Sequence, residues 1–448
     1  MIVGVLDSEI DEEYVKKQDV ERNQINERLL SHGEKCARII LKHGDNISII
    51  CESILNLDGT GIITDLPKGL ENCFLRNAKI VNISFGSTHF QDKEYIRKII
   101  NHYTNKGMII IAASSNDGYI SYPASFSNVI GVATGCILGS NLDMCIQMGI
   151  DFFAPLDYEI DIGCTTFLAD KGNSFAAPFV TAIVGNLVEK KGFMSVEEIR
   201  QELSHHEIDY IYAPDWIEKA WVSSEYHRKE HFYFDVDSRE LQECLDEIDT
   251  LILFNKNEYY SYNGLGKHIV YLGKEKIKTT DNGCHFWSRE VQKKRIISSL
   301  NRPKEIDVPF VYCCFDVNED VISFLNLLKK QFYIEGYNAF VGCNNIDCVL
   351  NDLEYLPIDD LMNNKIEDYV FWQVHYQQAD VILIGGNSDN EYCRFLCREP
   401  NLIIKIERKK EMIYMEIGSC QNHTKKDCYL HFQTEDMRSI AQKIISIL

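Results

Sequence analysis

Along the first half of the chain, short mainly apolar runs alternate with longer stretches of helical periodicity. The runs "MIVGVLD" (1–7), "ISIICESIL" (47–55), "KIVNISFG" (79–86), "MIIIAAS" (108–114) and "NVIGVAT" (128–134) read as strands. They lack polar alternation, which marks strands buried on both faces. Helices are predicted over "SHGEKCARIILKHG" (31–44), which ends at a glycine, "DLPKGLENCFLRN" (65–77), "KEYIRKIINHYTNKG" (93–107) and "VTAIVGNLVEK" (180–190). Strands alternating with helices of this length predict an α/β domain with a mainly parallel sheet covered on both faces. In such sheets functional side chains collect at the carboxyl ends of strands.

The pattern changes after about residue 222. Residues 223–300 are rich in Tyr, Glu and Lys with short β-like pieces such as "KHIVYLG" (267–273), as in a connector or small subdomain. From about 307 the alternation resumes: "VPFVYCCFD", a helix "DVISFLNLLKKQFYIEG", "NAFVGC", a helix near 357–378, "ADVILIGGN", "NLIIKIER" and a last helix "EDMRSIAQKIISIL". Residues 1–222, 223–300 and 301–448 are thus expected to be three parts, the last a smaller C-terminal α/β domain for recognition or regulation. Its first strand is followed by "DVNED", without glycines or a Gly-Lys-Ser/Thr, so no phosphate-binding loop is predicted, although "ILIGGN" offers a turn near a ligand.

Charge narrows the partners. The net charge of -21 over 448 residues disfavours nucleic acid or an anionic membrane. The longest apolar runs, such as "MIIIAA", are too short to span a bilayer. No basic stretch followed by an apolar core opens the chain, so a cytoplasmic location is expected, with the sixteen cysteines reduced. Cys393, Cys397, Cys420 and Cys428 lie near His423, but no C-x2-C pair occurs, and neither a metal site nor a cofactor is expected.

Four polar residues stand where an α/β sheet presents chemistry. Asp7 ends the first strand. His32 opens a helix and is followed by Gly33; His43-Gly44 repeats the dipeptide at the helix end, where a histidine suits the dipole. Asn116 follows an apolar strand in a small-residue turn. Ser174 sits in "KGNSFAAPFV" at the mouth of an apolar helix, on a turn whose backbone Gly172 frees. A serine hydroxyl needs a histidine to take its proton and an acid to orient that histidine, and the developing oxyanion needs donors. "NISFG" (82–86) ends another buried strand, and its glycine lets an extended peptide approach as an added strand.

The order Asp, His, Asn, Ser carries local context with it: "VGVLDSEID", "HGEKCARII", "LNLDGTGIITDLPKGLENC" leading to "IVNISFGS", "IIIAASSNDG", "YPASFSNVIGVA", "FFAPL" and "GNSFAAPFVTAIVG". Over residues 1 to about 190 the chain resembles the subtilisin-like (S8) serine peptidases. The resemblance implies a subtilisin-like three-layer α/β domain. It also implies that Asp7 orients His32, His32 acts as base and then acid, Ser174 attacks, and Asn116 joins the Ser174 N–H in the oxyanion hole. Ser84, Phe85 and Gly86, with Ser114 and Ser115, would wall the pocket beside the scissile bond. Three neighbours depart from the family pattern: Asn173 for Thr, Ser115 for Gly, and Glu34-Lys35 for Thr and His. The implied partner is a peptide or protein substrate. The acid strand begins at residue 1 or 2, leaving no room for a propeptide, so the expectation is an intracellular enzyme restrained by specificity, one that matures a ribosomally made precursor peptide. The competing expectations are a catalytically silent peptide-binding module and a general degradative protease.

Overall fold

The computed structural model describes residues 1–10, 30–135, 148–162, 165–204, 212–224, 232–279, 283–298, 306–315, 320–358, 363–387, 391–409, 412–419, 430–434 and 436–448. The predicted runs become β1 (Ile2–Asp7), β2 (Ser48–Ser53), β3 (Ile80–Ile83), β4 (Ile109–Ala113) and β5 (Ile130–Thr134), joined by β6 (Phe152–Ala154). They form one six-stranded sheet in the order β2-β1-β3-β4-β5-β6, with every neighbouring pair parallel, while β7 (Glu159–Ile162) and β8 (Thr165–Leu168) form a separate antiparallel pair. The intervening helices are α1 (His32–His43), α2 (Leu66–Leu75) and α3 (Lys93–Thr104); α4 (Asn173–Lys191) and α5 (Val196–Leu203) follow.

The absence of polar alternation has its expected outcome. Val3, Val5, Ile109, Ile111, Ile130 and Val132 face a core built with Cys36, Ile39 and Ile40 of α1 and Ala176, Ala177, Val180 and Val184 of α4. The other face meets α2. A Cβ on Gly4 would lie 2.5 Å from the Cys73 sulfur, so this glycine lets strand and helix close; one on Gly69 would lie 3.2 Å from Leu6, a tight contact. Helix, sheet and helix make the three layers, and all four candidate residues lie at or beyond the carboxyl ends of β1 and β4 or the amino ends of α1 and α4.

A buried polar network braces the far side of this core. Arg200 of α5 donates Nε and an Nη to the two carboxylate oxygens of Asp151 at 3.0 Å each, and to the Ser127 and Val129 carbonyls at 2.7 Å. Its first Nη also reaches Glu197 at 3.2 Å. Tyr212 donates its hydroxyl to Asp151, and the Gly131 N–H donates to the same carboxylate. Each buried charge therefore has a partner, the condition under which such groups are tolerated in a core.

The chain divides into two compact units. The first holds Met1–Glu218 together with Gly264–His268 and Thr279–Phe286; the second holds Lys219–Asn263, Ile269–Lys278 and Trp287–Leu448. A five-stranded sheet runs in the order β10 (Asp235–Asp237), β9 (Lys219–Val222), β11 (Thr250–Leu253), β12 (His268–Tyr271), β13 (Phe286–Ser288). The resumed alternation yields β14 (Phe310–Phe315), β15 (Ala339–Cys343), β16 (Glu354–Tyr355), β17 (Val381–Gly386) and β18 (Leu402–Lys409), which are parallel. Two strands that the apolar pattern did not announce, β19 (Met412–Ser419) and β20 (Leu430–Thr434), extend this sheet antiparallel. The "DVNED" loop up to residue 319, and Cys420, His423 and Cys428, lie outside the described residues; Cys393 and Cys397 are exposed. No helix among the described residues is long and apolar enough to cross a membrane.

Candidate active site

The site starts with how β1 ends. The Asp7 side chain is fully buried, and its Oδ1 accepts the Ser8 N–H at 2.7 Å. The Asp7 carbonyl accepts the N–H groups of Ile54 and Leu55, which ties the strand end to the chain leaving β2. The next residue positions the helix: Ser8 Oγ accepts the Gly33 N–H at 3.0 Å. A Cβ on Gly33 would lie 2.7 Å from the Ser8 carbonyl and 2.6 Å from Ile10, so only glycine lets α1 approach this closely.

His32 is the first residue of α1, and the departure at Glu34 explains its firm placement. Ser31 Oγ accepts the Glu34 N–H at 3.0 Å while the Glu34 carboxylate accepts the Ser31 N–H at 2.9 Å, a reciprocal cap on the first turn. The other departure, Lys35, pairs with Asp170 at 2.7 Å, linking that turn to the loop before Ser174. The imidazole lies against Phe175, with ring centroids 4.8 Å apart. His43, the rival histidine, closes the same helix and stacks edge-on against Phe179.

The three candidate groups meet. His32 Nδ1 lies 2.9 and 3.0 Å from the two Asp7 oxygens, and Nε2 lies 3.0 Å from Ser174 Oγ. A carboxylate only accepts, so Nδ1 carries the proton, which leaves Nε2 as acceptor for the serine hydroxyl. Below the ring, Cys36 stands one helical turn along, its sulfur 3.7 Å from Nδ1. The same sulfur lies 3.6 Å from the Ser174 carbonyl. That carbonyl has no helical partner because residue 178 is proline and has no N–H; the thiol meets it instead. Burial, then the Asp7 charge, push the Cys36 thiol well above its usual range, so it stays protonated. Asp7, His32 and Cys36 are close enough to hold a metal ion. With Nδ1 and the thiol both protonated, their contacts instead form a hydrogen-bonded support for the ring.

The fourth residue faces the hydroxyl across a gap. Asn116 Oδ1 accepts the Asn173 N–H at 2.9 Å, which turns its amide nitrogen outward. Gly172 lies between, with near-extended backbone (φ 160°, ψ 158°). A Cβ there would stand 3.6 Å from Ser174 Oγ and 3.7 Å from Asn116 Nδ2. Gly172 is thus expected from the sequence to free the turn, and the geometry shows a different contribution. Its missing side chain leaves empty the space between hydroxyl and amide. Ser174 is in the first turn of α4, where backbone N–H groups have no acceptor inside the helix and the dipole favours negative charge.

The segment Ser84–Gly86 follows β3, and the Ser114–Ser115 turn follows β4. Ser84 is buried and accepts from Asn82 Nδ2 at 2.8 Å; Phe85 is half-buried and Gly86 exposed. A Cβ on Gly86 would lie 2.9 Å from the Tyr122 carbonyl, and Ser87 and Tyr122 exchange backbone bonds at 2.9 and 2.8 Å. After β4, Ser114 is buried, and the Ser115 N–H donates to Ser121 Oγ at 2.9 Å. Sequence reasoning missed Ser8, Cys36 and Ser121. Only Cys36 had a visible signal, its spacing of four from His32 on one helix.

Residues 1–213 match the family model described as the subtilase family. This segment is subtilisin-like and of the subtilase family. Among relatives, subtilisin BL of Lederbergia lenta is 28% identical over 158 residues, covering 34% of this chain and 57% of that protein. Thermitase of Thermoactinomyces vulgaris is 28% identical over 174 residues, covering 36% and 61%. The chain spans about half the length of the curated relatives it matches. A solved lanthipeptide protease is similar at 17% identity and a TM-score of 0.36, over 45% of this chain and 78% of that one. The prenylagaramide maturation protease PagA is similar at 21% and 0.34, over 42% and 75%.

Proposed function

We propose that this protein is a serine endopeptidase whose subtilase segment cleaves peptide bonds through an acyl-enzyme. The observation that carries the reading is the continuous relay from buried Asp7 through His32 to Ser174 Oγ, with contacts of 2.9 and 3.0 Å. Ser174 Oγ attacks the scissile carbonyl carbon as its proton passes to His32 Nε2. Asp7 keeps Nδ1 protonated and stabilises the imidazolium. The oxyanion forms in the space that Gly172 leaves open, where Asn116 Nδ2 and the Ser174 N–H donate to it. The C–N bond then breaks, His32 returns its proton to the leaving amine, and water releases the acyl group by the reverse sequence.

The substrate is an extended peptide lying along Ser84, Phe85 and Gly86, with one side chain entering between that segment and Ser114–Ser115. We assign it as a specific peptide, such as a ribosomally made precursor undergoing maturation, rather than bulk protein. Most of the chain beyond residue 218 supports this: it forms a second compact unit, large enough to recognise a substrate. A cytoplasmic site of action belongs to the same proposal.

Hydrolysis of denatured casein by the full chain and by Ser174→Ala tests the chemistry. Removing the hydroxyl should abolish cleavage without altering the thermal midpoint. Activity retained in the variant would refute the triad, and a wild-type chain that binds peptide without cleaving it would make the cleft a silent binding module. A folded chain ending before residue 300 tests recognition. Unchanged selectivity in that chain would place specificity in the first unit.

A further inference from the structure

We infer that Asn173, the residue before the nucleophile, is a positioning residue that sets the oxyanion donor Asn116; the inference rests on the serine-peptidase reading above. In the resembling family this position is usually threonine. Here the side chain is a buried amide, 7% exposed, with every polar capacity used. Its Oδ1 accepts the Thr134 N–H at 2.8 Å and the Thr134 hydroxyl at 2.9 Å. Its Nδ2 donates to the Ser115 carbonyl at 3.0 Å, and lies 3.2 Å from the Ser114 carbonyl and 3.1 Å from Ser114 Oγ.

These partners lie at or just beyond two neighbouring strand ends. Thr134 closes β5, and Ser114 and Ser115 are the turn between β4 and Asn116. One amide therefore clips the turn that carries the donor to the adjacent strand. The Asn173 backbone N–H completes the grip by holding Asn116 Oδ1 at 2.9 Å. Asn116 is thus fixed from one residue twice, through its preceding backbone and through its own side chain. A threonine hydroxyl, with a single hydrogen to donate, cannot replace an amide that serves acceptors and donors on opposite sides. The exposed Asn116 would otherwise lose side-chain freedom only on binding substrate, and preorganised donors are the ones that lower a barrier.

The experiment uses the full chain and a fluorophosphonate probe, whose saturable labelling of Ser174 separates a chemical rate from probe affinity. Asn173→Asp keeps the shape and the Thr134 acceptor but turns the donor into a second acceptor facing two carbonyls. It should lower the labelling rate by about 10- to 100-fold, the scale of a positioning loss, with probe affinity unchanged. In an Asn116→Ala background the same substitution should cost at most about 3-fold, because its target is gone; a cycle of this kind isolates the pair. A merely structural role would give equal losses in both backgrounds, and that result, or no loss in either, overturns the inference. If Asn173→Asp shows no cooperative unfolding transition, Asn173→Thr is read by the same criterion. Failure of the wild type to label at Ser174 would be different: it would remove the peptidase reading, and the inference with it.

Discussion

Asp7 Oδ1 and His32 Nδ1 are 2.9 Å apart, with the carboxylate fully buried and the imidazole about one-third exposed. The asymmetry has a use. An acid sealed at the end of β1 cannot exchange its partner for water, so the imidazole is held in one tautomer while its other nitrogen stays open to the cleft. Asp7→Asn preserves shape and burial but lets the side chain donate, which favours the opposite tautomer. The expected outcome is a fall in kcat of roughly 10^4, the scale known for this substitution in a serine protease triad, with an unchanged fold by circular dichroism. A loss of folding instead of turnover would make Asp7 a structural acid.

As the proposed oxyanion donor, Asn116 takes no part in proton transfer. Replacing it with alanine should reduce kcat by about 10^2 to 10^3 and leave KM nearly unchanged, the scale measured for removing an oxyanion donor in subtilisin. The kcat and KM of a fluorogenic peptide decide the matter. A rise in KM at constant kcat would make Asn116 a substrate contact and put the oxyanion elsewhere.

Acid should weaken the first unit through a second histidine. His268 Nδ1 accepts the His285 N–H at 3.0 Å, and the Trp216 ring faces it. His285 Nδ1 pairs with Glu197, which also meets Arg200. Burial, then His285 and Lys267, hold His268 well below its ordinary 6.5, so it is neutral when folded. The unfolded chain takes up a proton below that value. It therefore binds more protons than the folded state, and stability present above pH 6.5 is lost as pH falls. Glu197 acts in the same direction at lower pH: burial would raise its pKa, but Arg200 and His285 outweigh burial and lower it from 4.5. The thermal midpoint should drop by several degrees between about pH 7.5 and 5.5. His268→Asn, which keeps an acceptor near Nδ1 but does not titrate, should flatten that drop. An equal drop in the variant would exclude His268 as its source.

How legible this was depended on how local each cause is. The parallel sheet could be read because strands buried on both faces must be apolar throughout, as Ile109–Ala113 is. Asp7, His32, Asn116 and Ser174 could be read because each lies beside a strand or helix terminus that the pattern locates. Asn173 registers only as a departure, since its value lies in bonds to residues 39 and 59 positions away that no local pattern encodes. Gly172 reads as a flexible turn because a sequence shows a missing side chain but not the space it vacates. β19 and β20 escape the pattern because an edge hairpin carries no long apolar run. The return of 264–268 and 279–286 to the first unit is a tertiary event that no local pattern announces.

Covalent labelling tests the central claim most directly. The fluorophosphonate probe should modify Ser174 alone, as mapped by peptide mass spectrometry, and Ser174→Ala and His32→Ala should abolish the label. Iodoacetamide should leave the labelling rate unchanged, because buried Cys36 remains a protonated thiol beside the ring. A probe that finds no residue in the folded chain, or that marks Cys36 in place of Ser174, would contradict the account.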